Sequence, residues 1–214
     1  MNIKVSGVTD LEQLVQLDKM GIDYVGLNFE VDVSGLVVKG IVPEGLNQLS
    51  TDIKKVGLFS NVSIDDVFFM TDTFKLDAVQ FCGEETPEYC AVFSANTEVI
   101  KTLYFDDGLS SKLNESLAAF DEVCDYYCFD LRNTMNNEKE SVSMYWQTIM
   151  NAAFEKPFFL GGGLIRPIDA SQIHTFRHPD FFGVDLNEYF EKKPGTKDTA
   201  LILSFMRAIA QVDN

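Results

Sequence analysis

Cations, histidines and long apolar runs are scarce in this chain, and each shortage closes off a class of function. Lys and Arg total 17 against 33 Asp and Glu, a formal net charge of −16. Such a surface repels a phosphate backbone and an anionic bilayer, so no nucleic-acid partner and no membrane partner are expected. No apolar stretch approaches the roughly 20 residues of a membrane span. Met1 to Ser6 lack the basic start and apolar core of a signal peptide. The chain has 2 histidines, His174 and His178, and 4 cysteines, Cys82, Cys90, Cys124 and Cys128, with no Cys-x-x-Cys spacing. A structural zinc is therefore not expected, and reduced thiols in the cytoplasm are the default. No Gly-x-Gly-x-x-Gly turn follows the first strand-like segment, which leaves a dinucleotide site without support.

What is present is a large hydrophobic fraction, 46% of 214 residues, arranged in alternating short segments. Strands are expected at residues 3–6, 24–29, 55–60, 76–81, 98–104, 126–130, 158–160 and 182–186. Helical stretches fall between them. Thr9 or Asp10 caps the first, which Gly21 closes. Others open at Pro43, Ser63, Pro87, Ser111, Val142, Pro167 and Asp198. Residues 30–40 read as a loop, and Ile64, Val67, Phe68 and Met70 as the inner face of the third helix. Strict alternation implies parallel strands joined by right-handed crossovers. Eight such units predict an α/β fold, a (β/α)8 TIM barrel forming a single domain over residues 1–214. An open doubly wound sheet is the alternative.

A barrel of this kind works at the C-terminal ends of its strands. Those ends carry Ser6, Asn28, Ser60, Asn61, Gln80, Cys82, Tyr104 to Asp107, Asp130, Gly161 to Gly163, and Asp185 to Glu188. Gly161-Gly162-Gly163 reads either as a turn whose N–H groups cradle a phosphate or as a plain flexible turn. Asp130 is either a cap or an acid/base group with a raised pKa. Cys128 shares the inward face of Asp130 and reads as core filler. Glu84-Glu85 and Asp106-Asp107 read as solvated loop charge, Phe68-Phe69 and Phe181-Phe182 as core, and both histidines as outer-shell residues without a catalytic role.

Five pieces in order carry a resemblance to a known family. They are Lys4-Val5-Ser6-Gly7-Val8-Thr9, residues 55–61, residues 76–84, residues 157–164, and Gly183-Val184-Asp185-Leu186-Asn187 with Pro194-Gly195-Thr196-Lys197-Asp198 beyond. Together they resemble phosphoribosylanthranilate isomerase of tryptophan biosynthesis, a (β/α)8 enzyme, over nearly the whole chain. The resemblance implies an Amadori rearrangement without metal or organic cofactor. A general acid opens the ribose ring, and a general base takes the C2′ proton. It assigns the acid to Asp130 and the base position to Ser6, where the family has cysteine. It assigns phosphate binding to Gly161, Gly162, Gly163, Asp185 and Asn187. Departures accompany the match. Ser34-Gly35-Leu36-Val37-Val38 stands where a substrate-binding arginine is usual, residues 132–138 lack the glycine-rich turn, Glu188 enters the phosphate cradle, and Cys82 replaces a histidine. The expectation is a cytoplasmic isomerase, monomer or homodimer, acting on a phosphorylated sugar-type ligand with impaired or altered catalysis. The alternative is a non-catalytic or repurposed barrel that binds a phosphorylated metabolite or a partner protein.

Overall fold

Continuous apolar runs in this chain become strands covered on both faces, because crossover helices pack against one face of each strand and the lumen fills the other. The computed structural model describes residues 1–32, 35–105, 109–131 and 139–210. Its strands are β1 (Asn2–Ser6), β2 (Tyr24–Asn28), β3 (Glu30–Asp32), β4 (Gly35–Val37), β5 (Lys54–Phe59), β6 (Ala78–Phe81), β7 (Glu98–Phe105), β8 (Tyr126–Leu131), β9 (Phe158–Gly161), β10 (Phe181–Leu186), β11 (Glu191–Lys193) and β12 (Thr196–Lys197). Its α-helices are α1 (Leu11–Lys19), α2 (Ile64–Phe74), α3 (Pro87–Ala91), α4 (Leu109–Phe120), α5 (Lys139–Met150) and α6 (Thr199–Ala210). Eight strands close a barrel in the order β1-β10-β9-β8-β7-β6-β5-β2, all parallel. The barrel expected from the alternation is thus present, and the open sheet is excluded.

Helix starts follow their capping side chains. Asp10 accepts from the Gln13 amide, Ser63 from Asp66 and Thr86 from Tyr89, each satisfying an orphan N–H of a first turn. Asp198 does the same for α6 through Leu201. Two crossovers depart from the expected helices. The stretch from Pro43 to Gln48 is a 3-10 helix, and after β9 the chain makes 3-10 turns at Pro167–Ser171 and Ile173–Thr175. Residues 30–40 are not simply a loop. Glu30 pairs with Val37 in the antiparallel β3–β4 hairpin.

The lumen is packed, not hollow. Tyr24, Val56, Ala78, Ile100, Cys128 and Phe159 form one buried layer, with Phe182 packed against it. Tyr24, Phe159 and Phe182 meet edge to face at 5.2 to 6.0 Å between centroids. That geometry favours aromatic pairs by about 0.5–1.5 kcal/mol each beyond area burial. Cys128 is core filler, as its face predicted. A register shift between Phe181 and Gly183 breaks the alternation along β10. Phe182 therefore joins the lumen layer, while Asp185 lines the mouth and Val184 and Leu186 join the outer core.

Two expectations about side chains are corrected. Phe68 and Phe69 are 39% and 63% exposed, whereas the rest of the predicted inner face of α2 holds, with Val67 buried, Ile64 and Met70 packed against the core, and Phe74 buried in addition. Glu85 is not solvated. It is 6% exposed and paired with Lys101 at 2.9 Å. Its carboxylate also accepts from the amides of Asn61 at 2.7 Å and Gly83 at 2.9 Å, and Lys101 Nζ donates to the Gly83 carbonyl at 2.8 Å. This cluster ties the loop after β5 to the loop after β6. Asp106 and Asp107 lie outside the described residues.

Candidate active site

Strand ends around the barrel open on one cavity of about 400 Å3, lined among others by Ser6, Asn28, Glu30, Ser60, Cys82, Tyr104, Asp130, Gly162, Asp185, Asn187 and Glu188. Sequence reasoning named most of these from strand ends alone. It did not single out Glu30, which lies just beyond the expected end of the second strand, in residues 30–40 read as a loop. Gln80, named as a strand end, is buried below the mouth and donates to Thr102 Oγ1 at 2.9 Å. Residues 132–138, including the expected departure from the glycine-rich turn, and Ser34 lie outside the described residues.

Ser6 ends β1 with its side chain in the lumen, in space that Gly26 leaves open. A Cβ at Gly26 would collide with Ser6 Oγ. Two residues earlier, on the same face, Lys4 is 0% exposed and reaches up the lumen. Its Nζ donates to Ser6 Oγ at 2.5 Å and to Asp185 Oδ2 at 2.6 Å. Among the described residues, Asp185 Oδ1 and Asn28 Oδ1 are buried and meet no hydrogen-bond partner.

Asp130 ends β8. Its Oδ1 accepts from the amides of Leu131 at 2.6 Å and Gly163 at 3.1 Å. Gly162 has φ +48, and a Cβ there would run into the Asp130 carboxylate, so glycine is required for this contact. Trp146 Nε1 holds the turn from outside by donating to the Leu164 carbonyl at 3.0 Å. Burial pushes the Asp130 pKa up to about 6, helped by the charges of Asp185 and Glu188 and opposed by the two amide hydrogen bonds. The carboxyl is thus protonated well above the ordinary carboxylate range, as a general acid requires. Because the pKa is raised, the acid form is lost as pH rises. Any turnover that depends on Asp130 as acid should fall about tenfold per pH unit above pH ~6, read from a pH–rate profile of kcat/KM. A flat profile from pH 5 to 8 would exclude that role.

The glycine turn and the turn after β10 are each already engaged. Gly161, Gly162 and Gly163 are buried, and the Gly163 amide is taken by Asp130. Asn187 Oδ1 accepts from Lys197 Nζ at 2.9 Å, and Lys197 also donates to Glu191 at 2.6 Å, linking β11 to β12. Burial lowers the Lys197 pKa. Glu188 is exposed in a 3-residue 3-10 helix. Among the described residues lining the cavity, Glu30, Asp130, Asp185 and Glu188 are acidic and no Lys, Arg or His is present. Neither nearby thiol offers a thiolate. Burial pushes Cys82 up to about 11 and Cys128 well above its ordinary value. No group of three or more His, Cys, Asp or Glu among the described residues is placed to hold a metal ion. No helix among them is long and apolar enough to cross a membrane.

A family model described as N-(5'-phosphoribosyl)anthranilate (PRA) isomerase matches residues 3–208. The N-(5'-phosphoribosyl)anthranilate isomerase of Parabacteroides distasonis is 32% identical over 216 residues, covering 98% of this chain and 93% of that one. The phosphoribosyl anthranilate isomerase of Thermotoga maritima superposes with a TM-score of 0.79 at 22% identity, covering 99% of both chains. A phosphoribosyl anthranilate isomerase solved with reduced 1-(o-carboxyphenylamino)-1-deoxyribulose 5-phosphate superposes with a TM-score of 0.74 at 24% identity, also over 99% of both chains. On a family model that spans the barrel and a relative of this identity over nearly its full length, the chain belongs to the N-(5'-phosphoribosyl)anthranilate isomerase family.

Proposed function

We propose that this chain binds N-(5'-phosphoribosyl)anthranilate at the barrel mouth and isomerises it slowly, with Asp130 as general acid and the base step impaired at Ser6. The relative solved with a phosphorylated substrate analogue supports the ligand class. The observation that carries the reading is the contact of Ser6 with Lys4. Lys4 Nζ donates to Ser6 Oγ, so one lone pair of the hydroxyl is already engaged and the group is a poor base by itself. A hydroxyl is also intrinsically a far weaker base than a thiolate. Asp130, raised to about 6, keeps the acid half of the chemistry in place. Gly161, Gly162 and Gly163 would contribute the phosphate end of the site, with the Asn187 turn beside them.

The test is a fluorescence assay of N-(5'-phosphoribosyl)anthranilate consumption with the parent chain and Ser6→Cys. Restoring a thiol beside Lys4 should raise turnover on the order of 10²-fold, the low end of what one proton-transfer group contributes. An unchanged or lower rate would show that the base is not what limits this chain. A second reading, a barrel that binds a ligand without isomerising it, draws on Glu188 and on the occupied Gly163 amide, both of which oppose a phosphate dianion. That reading gains if neither protein turns over while ribose 5-phosphate still shifts the melting temperature.

A further inference from the structure

We infer that Ser6, Lys4 and Asp185 form a proton relay, which gives the serine hydroxyl the base strength it lacks alone. The inference rests on the isomerase reading above and names how its impaired base step proceeds. Three observations carry it. The contacts are short and continuous, 2.5 Å from Lys4 Nζ to Ser6 Oγ and 2.6 Å from Lys4 Nζ to Asp185 Oδ2. All three residues are at least nine-tenths buried, Ser6 at 1%, Lys4 at 0% and Asp185 at 5% exposure, so bulk water does not compete for their protons. Asp185 and Ser6 line the cavity, and the Asp185 oxygen that Lys4 Nζ meets is Oδ2, so a proton can pass along an existing hydrogen bond.

The step balances within the triad. Transfer of one ammonium proton from Lys4 Nζ to Asp185 Oδ2 leaves a neutral amine facing Ser6. The hydroxyl proton of Ser6 then passes to Nζ as Ser6 Oγ takes the C2′ proton of the ring-opened iminium. The C2′–H bond breaks, and its electron pair forms the enolamine double bond and neutralises the iminium nitrogen. At the end Ser6 is a hydroxyl again, Lys4 an ammonium and Asp185 a carboxylic acid. The same path in reverse delivers that proton through Ser6 to C1′, while the enol hydroxyl gives its own proton to the Asp130 carboxylate left by ring opening and the ketone forms. Only Ser6 touches substrate. Lys4 and Asp185 act through it as positioning and proton-holding residues.

A double-mutant cycle separates a relay from mere structural support. Ser6→Ala should lower kcat on the order of 10²-fold. Asp185→Asn should lower it by the same factor, and the double variant no further, because groups that act as one unit are non-additive. Lys4→Arg keeps the ion pair to Asp185 but cannot deprotonate, so it should lose turnover to the same level while unfolding at a similar denaturant midpoint. If Asp185→Asn does not fold, the Lys4→Arg result decides. Losses that multiply in the double variant, or full turnover in Lys4→Arg or Ser6→Ala, would overturn the relay and leave the isomerase reading standing. A parent chain that never turns over would overturn both.

Discussion

An Asp130→Asn variant is expected to turn over N-(5'-phosphoribosyl)anthranilate about 10²- to 10⁴-fold more slowly than the parent chain. The substitution isolates the proton. An asparagine Oδ1 still accepts from the Leu131 and Gly163 amides, now at 2.6 and 3.1 Å, so the turn around Gly162 has no reason to move. What disappears is a carboxyl whose pKa burial has lifted to about 6. The amide also cannot respond to pH, so the decline in rate above pH ~6 should vanish along with most of the rate. Steady-state fluorescence of the anthranilate group measures both. A loss below about tenfold, or a surviving pH dependence, would move the acid to another residue.

The second large effect concerns stability and lies away from the chemistry. Glu85→Ala is expected to cost about 3–5 kcal/mol, because it leaves the Lys101 ammonium buried without its counter-charge. Side-chain exposures of 2% and 4% for Glu85 and Lys101 leave little solvent to compensate. The same carboxylate holds the Asn61 and Gly83 amides, so two backbone donors lose their acceptor too. For a chain of this size each kcal/mol lowers the melting temperature by about 2–4 °C. Replacing both partners, Glu85→Leu with Lys101→Met, should recover much of the loss, since an apolar pair of similar volume carries no stranded charge. Urea unfolding of the three proteins tests this. A single-variant cost under about 1 kcal/mol would mean that the pair is not isolated from water.

The barrel was legible because its signal is carried by whole segments. Runs such as Phe158-Phe159-Leu160 and Tyr126-Tyr127-Cys128-Phe129 are apolar on both faces, which only strands covered on both sides tolerate. Cap residues placed three of the helix starts. What escaped depends on contacts between distant segments. Glu84 and Glu85 look alike in sequence, yet Glu84 is exposed and Glu85 is buried against a lysine from β7. Period-2 reasoning puts Phe182 and Asp185 on opposite faces of β10, and the shift at Phe181 to Gly183 brings both to the lumen side. The bond from Lys4 to Asp185 joins residues 181 positions apart, visible only once β10 pairs with β1 to close the barrel. The hairpin of β3 and β4 was missed because its strands are three residues each, too short for alternation to register.

The edge-to-face rings of Tyr24, Phe159 and Phe182 also fix the traffic of the site. Among the described residues they fill the lumen beneath the mouth, so the cavity is a well that opens at the strand ends. Whatever enters must leave by the path it came, so departing product and arriving substrate queue at the same opening. A rearrangement that keeps every atom of its substrate suits such a well, because no second reactant and no leaving group needs an exit of its own.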